Sequence, residues 1–152
     1  MPGSSSDGSA SNLISHDTIR QHCSDIIHGF FEMINTRQFD TNLGFWTLNI
    51  ASNYTYAGLH GDIAAYDAVD LAGHLKNFEG LTKDVFPDFR LEVVDVWTEM
   101  NMRGEDVRTF MNWLQVNCPP GIVKPSAAEI KWRREEGRLQ IWEVRTMGGG
   151  AV

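Results

Sequence analysis

The chain has 152 residues, 42% hydrophobic, 11% aromatic and 22% charged, which is the composition of one globular domain able to bury roughly 70% of its unfolded surface. Its formal net charge of -7 excludes a basic nucleic-acid-binding face or a patch drawn to anionic lipid, and no apolar run approaches the ~20 residues of a membrane span. Cys23 and Cys118 have no CxxC or Cys/His spacing, which excludes a zinc ribbon or disulfide framework and points to a reducing, cytoplasmic setting.

Residues 1–13 are Ser/Gly-rich, without apolar periodicity, and are expected to form a disordered tail. Lacking a basic start and an apolar stretch, they do not read as a signal peptide. Residues 148–152 read as a second flexible tail, leaving 14–147 as a single domain. From Ser15, Ile19, Cys23, Ile26, Ile27, Phe30, Phe31 and Ile34 recur at three- and four-residue spacings, the apolar stripe of an amphipathic helix capped by Ser15. Residues 41–51 read as a second helical piece, residues 53–56 as a short aromatic strand and residues 58–62 as a turn. Asp67 and Asp70 form a capping-box pattern ahead of a third helix carrying Ala68, Leu71, Leu75 and Phe78, loosened at Gly80.

Pro87 ends helical periodicity, and alternation takes over. Phe89, Leu91, Val93, Asp95 and Trp97 fall on one face of a long strand, with Arg90, Glu92, Val94, Val96 and Thr98 on the other. A Gly-containing turn at 101–106 returns the chain along 107–118. Pro119, Pro120 and Pro125 mark an irregular loop before a hairpin of 127–134 and 138–146. Helices first and strands last predict an α+β domain, a curved antiparallel sheet wrapped around the N-terminal helices. Such curvature leaves an apolar hollow where function is expected.

Phe86-Pro87-Asp88-Phe89-Arg90, Gly104-Glu105-Asp106-Val107 leading to Trp113, and Glu136-Gly137-Arg138-Leu139 resemble SnoaL-like proteins of the nuclear-transport-factor-2-like superfamily, over about residues 15–147. The resemblance implies a cone-shaped α+β barrel with an internal pocket. It implies either cofactor-independent acid/base chemistry on a small hydrophobic metabolite (isomerase, polyketide cyclase or dehydratase), without metal, or a non-catalytic ligand-binding or dimerisation domain. It also implies a homodimer through the outer sheet face. Tyr56-Ala57-Gly58 stands where relatives often carry an Asp-Pro pair, Ile141-Trp142-Glu143 where Glu-His-Trp is common, and Asn117-Cys118-Pro119-Pro120 where a Gly-Thr-His segment often follows the second long strand. Catalytic residues must therefore be argued from the side chains themselves.

His74, at the edge of the third helix's stripe, is a base facing the hollow or a histidine bonded at a helix–sheet boundary. His60, in the turn after the first strand, lines the mouth or lies at the surface. Asp95 interrupts an apolar face: burial beside Trp97 would raise its pKa and make it an acid or base, whereas a β-bulge would turn it to solvent. Asn112 is a polarising amide if its face looks inward; if the opposite face does, Trp113 and Gln115 take its place. Tyr54 and Tyr56 share one strand face and can donate to an oxyanion or simply pack. Trp97, Trp113 and Trp142, with Trp46 and Trp132, supply an aromatic lining suited to a flat polycyclic or terpenoid ligand, or core and dimer contacts. His16, His22, His28, Glu129 and Glu143 are weaker candidates, with His28 expected in solvent. There is no phosphate loop, dinucleotide fingerprint, Gly-x-Ser-x-Gly elbow or HExxH.

Overall fold

The computed structural model describes residues 4–57 and 68–147, with side chains from residue 16 onward. In chain order come α1 (Ser4–Asn35), α2 (Gly44–Asn49), β1 (Ile50–Ala57), α3 (Leu71–Gly80) with a π-helical turn (Leu81–Val85), β2 (Arg90–Met100), β3 (Val107–Val116), β4 (Val123–Glu135) and β5 (Arg138–Thr146). Among the described residues the strands form one sheet in the order β1-β5-β4-β3-β2. The four long strands pair antiparallel as expected. β1 joins β5 in parallel, so the sheet is mixed, and it curves without closing into a barrel.

All seven stripe residues of α1, from Ile19 to Ile34, are buried; each such isoleucine or phenylalanine stabilises the fold by about 1.5–3 kcal/mol through its burial. α1 begins at Ser4, so Ser15 lies inside the helix and the helix runs into the stretch expected as a tail. Once the apolar stripe has nucleated a helix, each further residue adds one hydrogen bond for one ordered residue. The far end is closed by a Schellman pattern, with Arg37 N–H donating to Ile34 O at 3.0 Å and Gln38 N–H to Met33 O at 2.9 Å. Arg37 takes the left-handed position at φ 61, one usually given to glycine. Its guanidinium donates to the carbonyls of Phe89 at 2.6 Å and Pro87 at 3.0 Å, which ties the helix end to the start of β2.

Two one-residue bulges decide which side chains look inward. Val93 pairs with Trp113 and Asp95 with Asn112, leaving Val94 as the extra residue of β2. Beyond it Val96, Thr98 and Met100 face the core in place of Asp95 and Trp97. On β5, Ile141 pairs with Trp132 and Glu143 with Lys131, so Trp142 is the extra residue and Val144, not Glu143, turns inward. Pro125 lies within β4 rather than in a loop: β5 meets β4 only from Ala128 onward, and a proline is tolerated on such an edge stretch. Glu136 (φ 52) and Gly137 (φ 78) make the two-residue hairpin turn whose positive φ angles match the strand twist.

β2 is an edge strand, and Asn35 covers part of it. Its Nδ2 donates to Leu91 O and its Oδ1 accepts from Leu91 N–H, both at 2.8 Å. Asn35→Ala removes both partners of a half-buried backbone pair, so unfolding by urea should show a loss of about 1–3 kcal/mol with an unchanged m-value.

Candidate functional site

The third helix is held against β1 by backbone pairing. Tyr56 N–H donates to Val69 O at 2.8 Å and Val69 N–H to Tyr56 O at 3.0 Å. Asp70 then caps α3, accepting from Gly73 N–H at 2.8 Å; Asp67 lies outside the described residues. One turn into the helix, His74 is carried over the face of β1 that bears Tyr54 and Tyr56, and it is 6% exposed. Its ring stacks on Tyr56 with centroids 3.9 Å apart and meets Phe78 at 5.0 Å and Phe30 at 6.0 Å. Tyr54 Oη and His74 Nδ1 share a hydrogen bond of 2.9 Å behind this cage.

In front of the ring lies a cavity of about 50 Å³, walled by α1 (Ile27, Phe30, Phe31) and α3 (His74, Phe78) and floored by inward side chains of the sheet, among them Met111, Trp113 and Gln115. That is room for a few water molecules, and a polycyclic ligand would have to displace the surrounding rings. Among the described residues no lysine, arginine, aspartate or glutamate lines it. Among the same residues the polar side chains in its lining are His74, Tyr56, Gln115 and, through its indole N–H, Trp113. Burial alone drives the His74 pKa down to about 3 and the Tyr54 pKa well up, the latter with a further push from Tyr56, so both groups are neutral at physiological pH. An imidazole with so low a pKa is a weak proton acceptor, and its strength lies in hydrogen bonding.

The structure thus brings together His74, Tyr54, Tyr56 and Trp113, the last 7% exposed and edge-on to Phe31 at 6.0 Å. Asp95 does not join them: the Val94 bulge turns it to solvent. Asn112 is exposed on the same outer face, and Gln115 takes the inward role. Trp97 is 63% exposed against Phe110. Trp142 is half-buried on the outer side under the Arg133 guanidinium, 4.8 Å from the ring centroid. Trp46 and Trp132 are core residues. His60 lies outside the described residues. His28 is exposed as expected, bonded to Ser24 O at 2.8 Å, and His16 Nε2–H donates to Met102 O at 2.8 Å. Glu143 is paired with Lys131 and Arg145 on the outer face, and Glu129 pairs beside it.

The Tyr54–His74 bond was not foreseen; the signal for it was the shared face of Tyr54 and Tyr56 together with the Asp70 cap that aims His74. Nor was a second polar cluster. There Trp132 Nε1–H donates to Thr109 Oγ1 at 2.9 Å, and the Thr98 and Thr109 hydroxyls lie 2.8 Å apart. Cys23 beside them has its thiol pushed up to about 12 by burial, so it is unreactive. Among the described residues no cluster of three His, Cys, Asp or Glu side chains is placed to hold a metal ion, and no helix is long and apolar enough to cross a membrane.

The buried imidazole makes stability depend on pH. Above about pH 6.5 His74 is neutral in both states. Below it the unfolded chain takes up a proton that the folded chain refuses until about pH 3. Stability should therefore fall through this window by up to about 1.4 kcal/mol per pH unit from this one group. His74→Gln should flatten that slope in urea titrations between pH 7 and pH 4, whatever its effect on absolute stability.

No family model and no curated protein matches the sequence. Solved structures do match. An NTF2-like protein with a cystatin-like fold from Novosphingobium aromaticivorans is 11% identical, with TM-score 0.66, 96% of this chain and 90% of that chain covered. An NTF2-like superfamily protein from Salmonella enterica is 13% identical, with TM-score 0.63 and coverages of 88% and 92%. The beta subunit of the benzoate 1,2-dioxygenase from Burkholderia mallei is 10% identical, with TM-score 0.58 and coverages of 82% and 86%. Helices laid into a curved sheet, and a pocket between them, are thus the α+β cone fold of NTF2-like proteins.

Proposed function

We propose that the cavity binds a small, uncharged, hydrophobic oxygenated metabolite, and that the protein is a SnoaL-like small-molecule-binding domain. The reading rests on one observation above the others: a buried histidine opens on a largely apolar chamber without charged side chains among the described residues, while the acidic candidates Asp95, Glu129 and Glu143 stand on the outer face. Burying an oxygenated ligand is favourable only where its oxygen finds partners, and His74 and Gln115 are the groups positioned to supply them.

A second reading is catalysis at the same place, as an isomerase, cyclase or dehydratase. It is favoured by the Tyr54–His74 pair, a polar chain held in place by rings on several sides. Donors fixed in this way stabilise charge developing on a substrate oxygen, about 2.7–4 kcal/mol for one good donor. His74, Tyr56 and Gln115 would act on the oxygen; a neutral-pH base among the described cavity residues is what this reading lacks. Two free thiols, Cys23 and Cys118, agree with a cytoplasmic setting. Exposed Trp97 and Val94 beside half-buried Phe110 and Leu114 on the outer sheet face agree with a second copy of the chain docking there.

A ligand that binds the folded state raises its melting temperature. Screening compact ketones, lactones and phenols should find ligands that do so for the wild type, and His74→Ala should weaken their binding about tenfold or more. Product analysis on the same compounds separates the two readings: unchanged compounds leave binding, and converted ones establish catalysis. If no such compound shifts the melting temperature, the cavity is not a ligand site. For the dimer, Trp97→Asp should lower the hydrodynamic mass from two copies to one without lowering stability.

A further inference from the structure

We infer that His74 is held as the Nε2–H tautomer by Tyr54, so that the cavity presents a fixed hydrogen-bond donor and selects a neutral ligand bearing an acceptor oxygen, above all a carbonyl. The inference rests on the ligand-binding reading above and narrows its ligand class.

The tautomer follows from counting partners. The His74–Tyr54 bond admits two arrangements: either the phenol O–H donates to Nδ1, or Nδ1–H donates to the phenol oxygen. Tyr54 is 2% exposed, and His74 is its one hydrogen-bond partner. In the second arrangement the phenol hydrogen would be buried with no acceptor, a lost hydrogen bond in a dry interior. The first arrangement therefore holds: Tyr54 O–H donates to Nδ1, and the imidazole proton sits on Nε2. That atom has no hydrogen-bond partner among the described residues, and His74 lines the cavity. Nε2–H is a donor awaiting an acceptor.

The rest of the wall sets the charge. With no cationic side chain lining the chamber among the described residues, a carboxylate would enter without a counter-charge and lose its hydration. A ketone loses far less and still accepts from Nε2–H, with the Gln115 amide among the lining residues as a second donor. The imidazole itself stays uncharged because burial lowers its pKa, so protonation does not convert the site into an anion receptor at neutral pH. Tyr54 is in this scheme a positioning residue acting through His74.

Two measurements on the full chain test it. Long-range nitrogen–proton spectra of histidine-labelled protein read the tautomer directly; the expected result is a protonated Nε2 and a bare Nδ1 at His74, lost to tautomer averaging in Tyr54→Phe. Binding of three molecules of one shape is then compared by chemical-shift titration: butanone, its methylene analogue with CH2 in place of the carbonyl oxygen, and propanoate. Butanone should bind about tenfold tighter than either, and Tyr54→Phe should shrink its advantage over the methylene analogue to about threefold or less. A protonated Nδ1, or equal binding of butanone and its methylene analogue, overturns the inference while leaving the cavity a binding site. Propanoate binding as tightly as butanone overturns it too. If none of the three binds, the ligand-binding reading fails and this inference falls with it.

Discussion

A five-stranded sheet can wrap one amphipathic helix only by breaking its own alternation, and this constraint shapes the molecule. A strand with strict two-residue period presents a straight row of side chains, whereas α1 offers a convex stripe from Ile19 to Ile34. The sheet meets it by taking one extra residue at Val94 and another at Trp142, each bending its strand and increasing its twist. Both bulges expel a polar or large residue from the concave face: Asp95 and Trp97 on β2, Glu143 on β5. The concave face that results is apolar enough to pack, and where the wall curves away from α3 it leaves the cavity.

Among the described residues, that surface carries one imidazole, His74. Burying a neutral histidine is tolerable when one nitrogen is bonded and its faces are covered by rings, as Tyr54, Tyr56, Phe30 and Phe78 provide. The same desolvation that removes the proton from His74 removes its value as a neutral-pH base. What the chamber's described polar side chains offer is therefore a set of neutral dipoles rather than a charge.

Local patterns were legible in the chain and non-local ones were not. The α1 stripe and the long alternating strands each depend on residues within a few positions of one another, and each stands where periodicity placed it; the third helix starts later than its capping-box pattern suggested, with Asp70 as its cap rather than a residue of its first turn. For Asp95 and Asn112 the pattern left two faces open, and the structure puts both on the outer one. A bulge is a single-residue event whose cause, curvature around a helix sixty residues earlier in the chain, has no local trace. The doubled valine at Val93-Val94 was its only mark. Parallel pairing of β1 with β5 depends on a chain path through the whole domain, and so does the meeting of Tyr54 with His74. Gln115 and Trp113 stood as the alternative to Asn112, and which face of β3 looks inward is set by how the whole sheet packs on α1.

The Asn35 amide on Leu91 also bears on how the chain keeps to itself. An edge strand with free N–H and C=O groups is a template on which another strand can grow. A side-chain amide has the same donor and acceptor, side by side, as a neighbouring backbone, so Asn35 satisfies one register position of β2 without being a strand that could itself be extended. With Arg37 holding the carbonyls of Phe89 and Pro87 just before it, the entry to β2 is closed to strand addition. Strand-to-strand association through that end of the sheet is thereby discouraged.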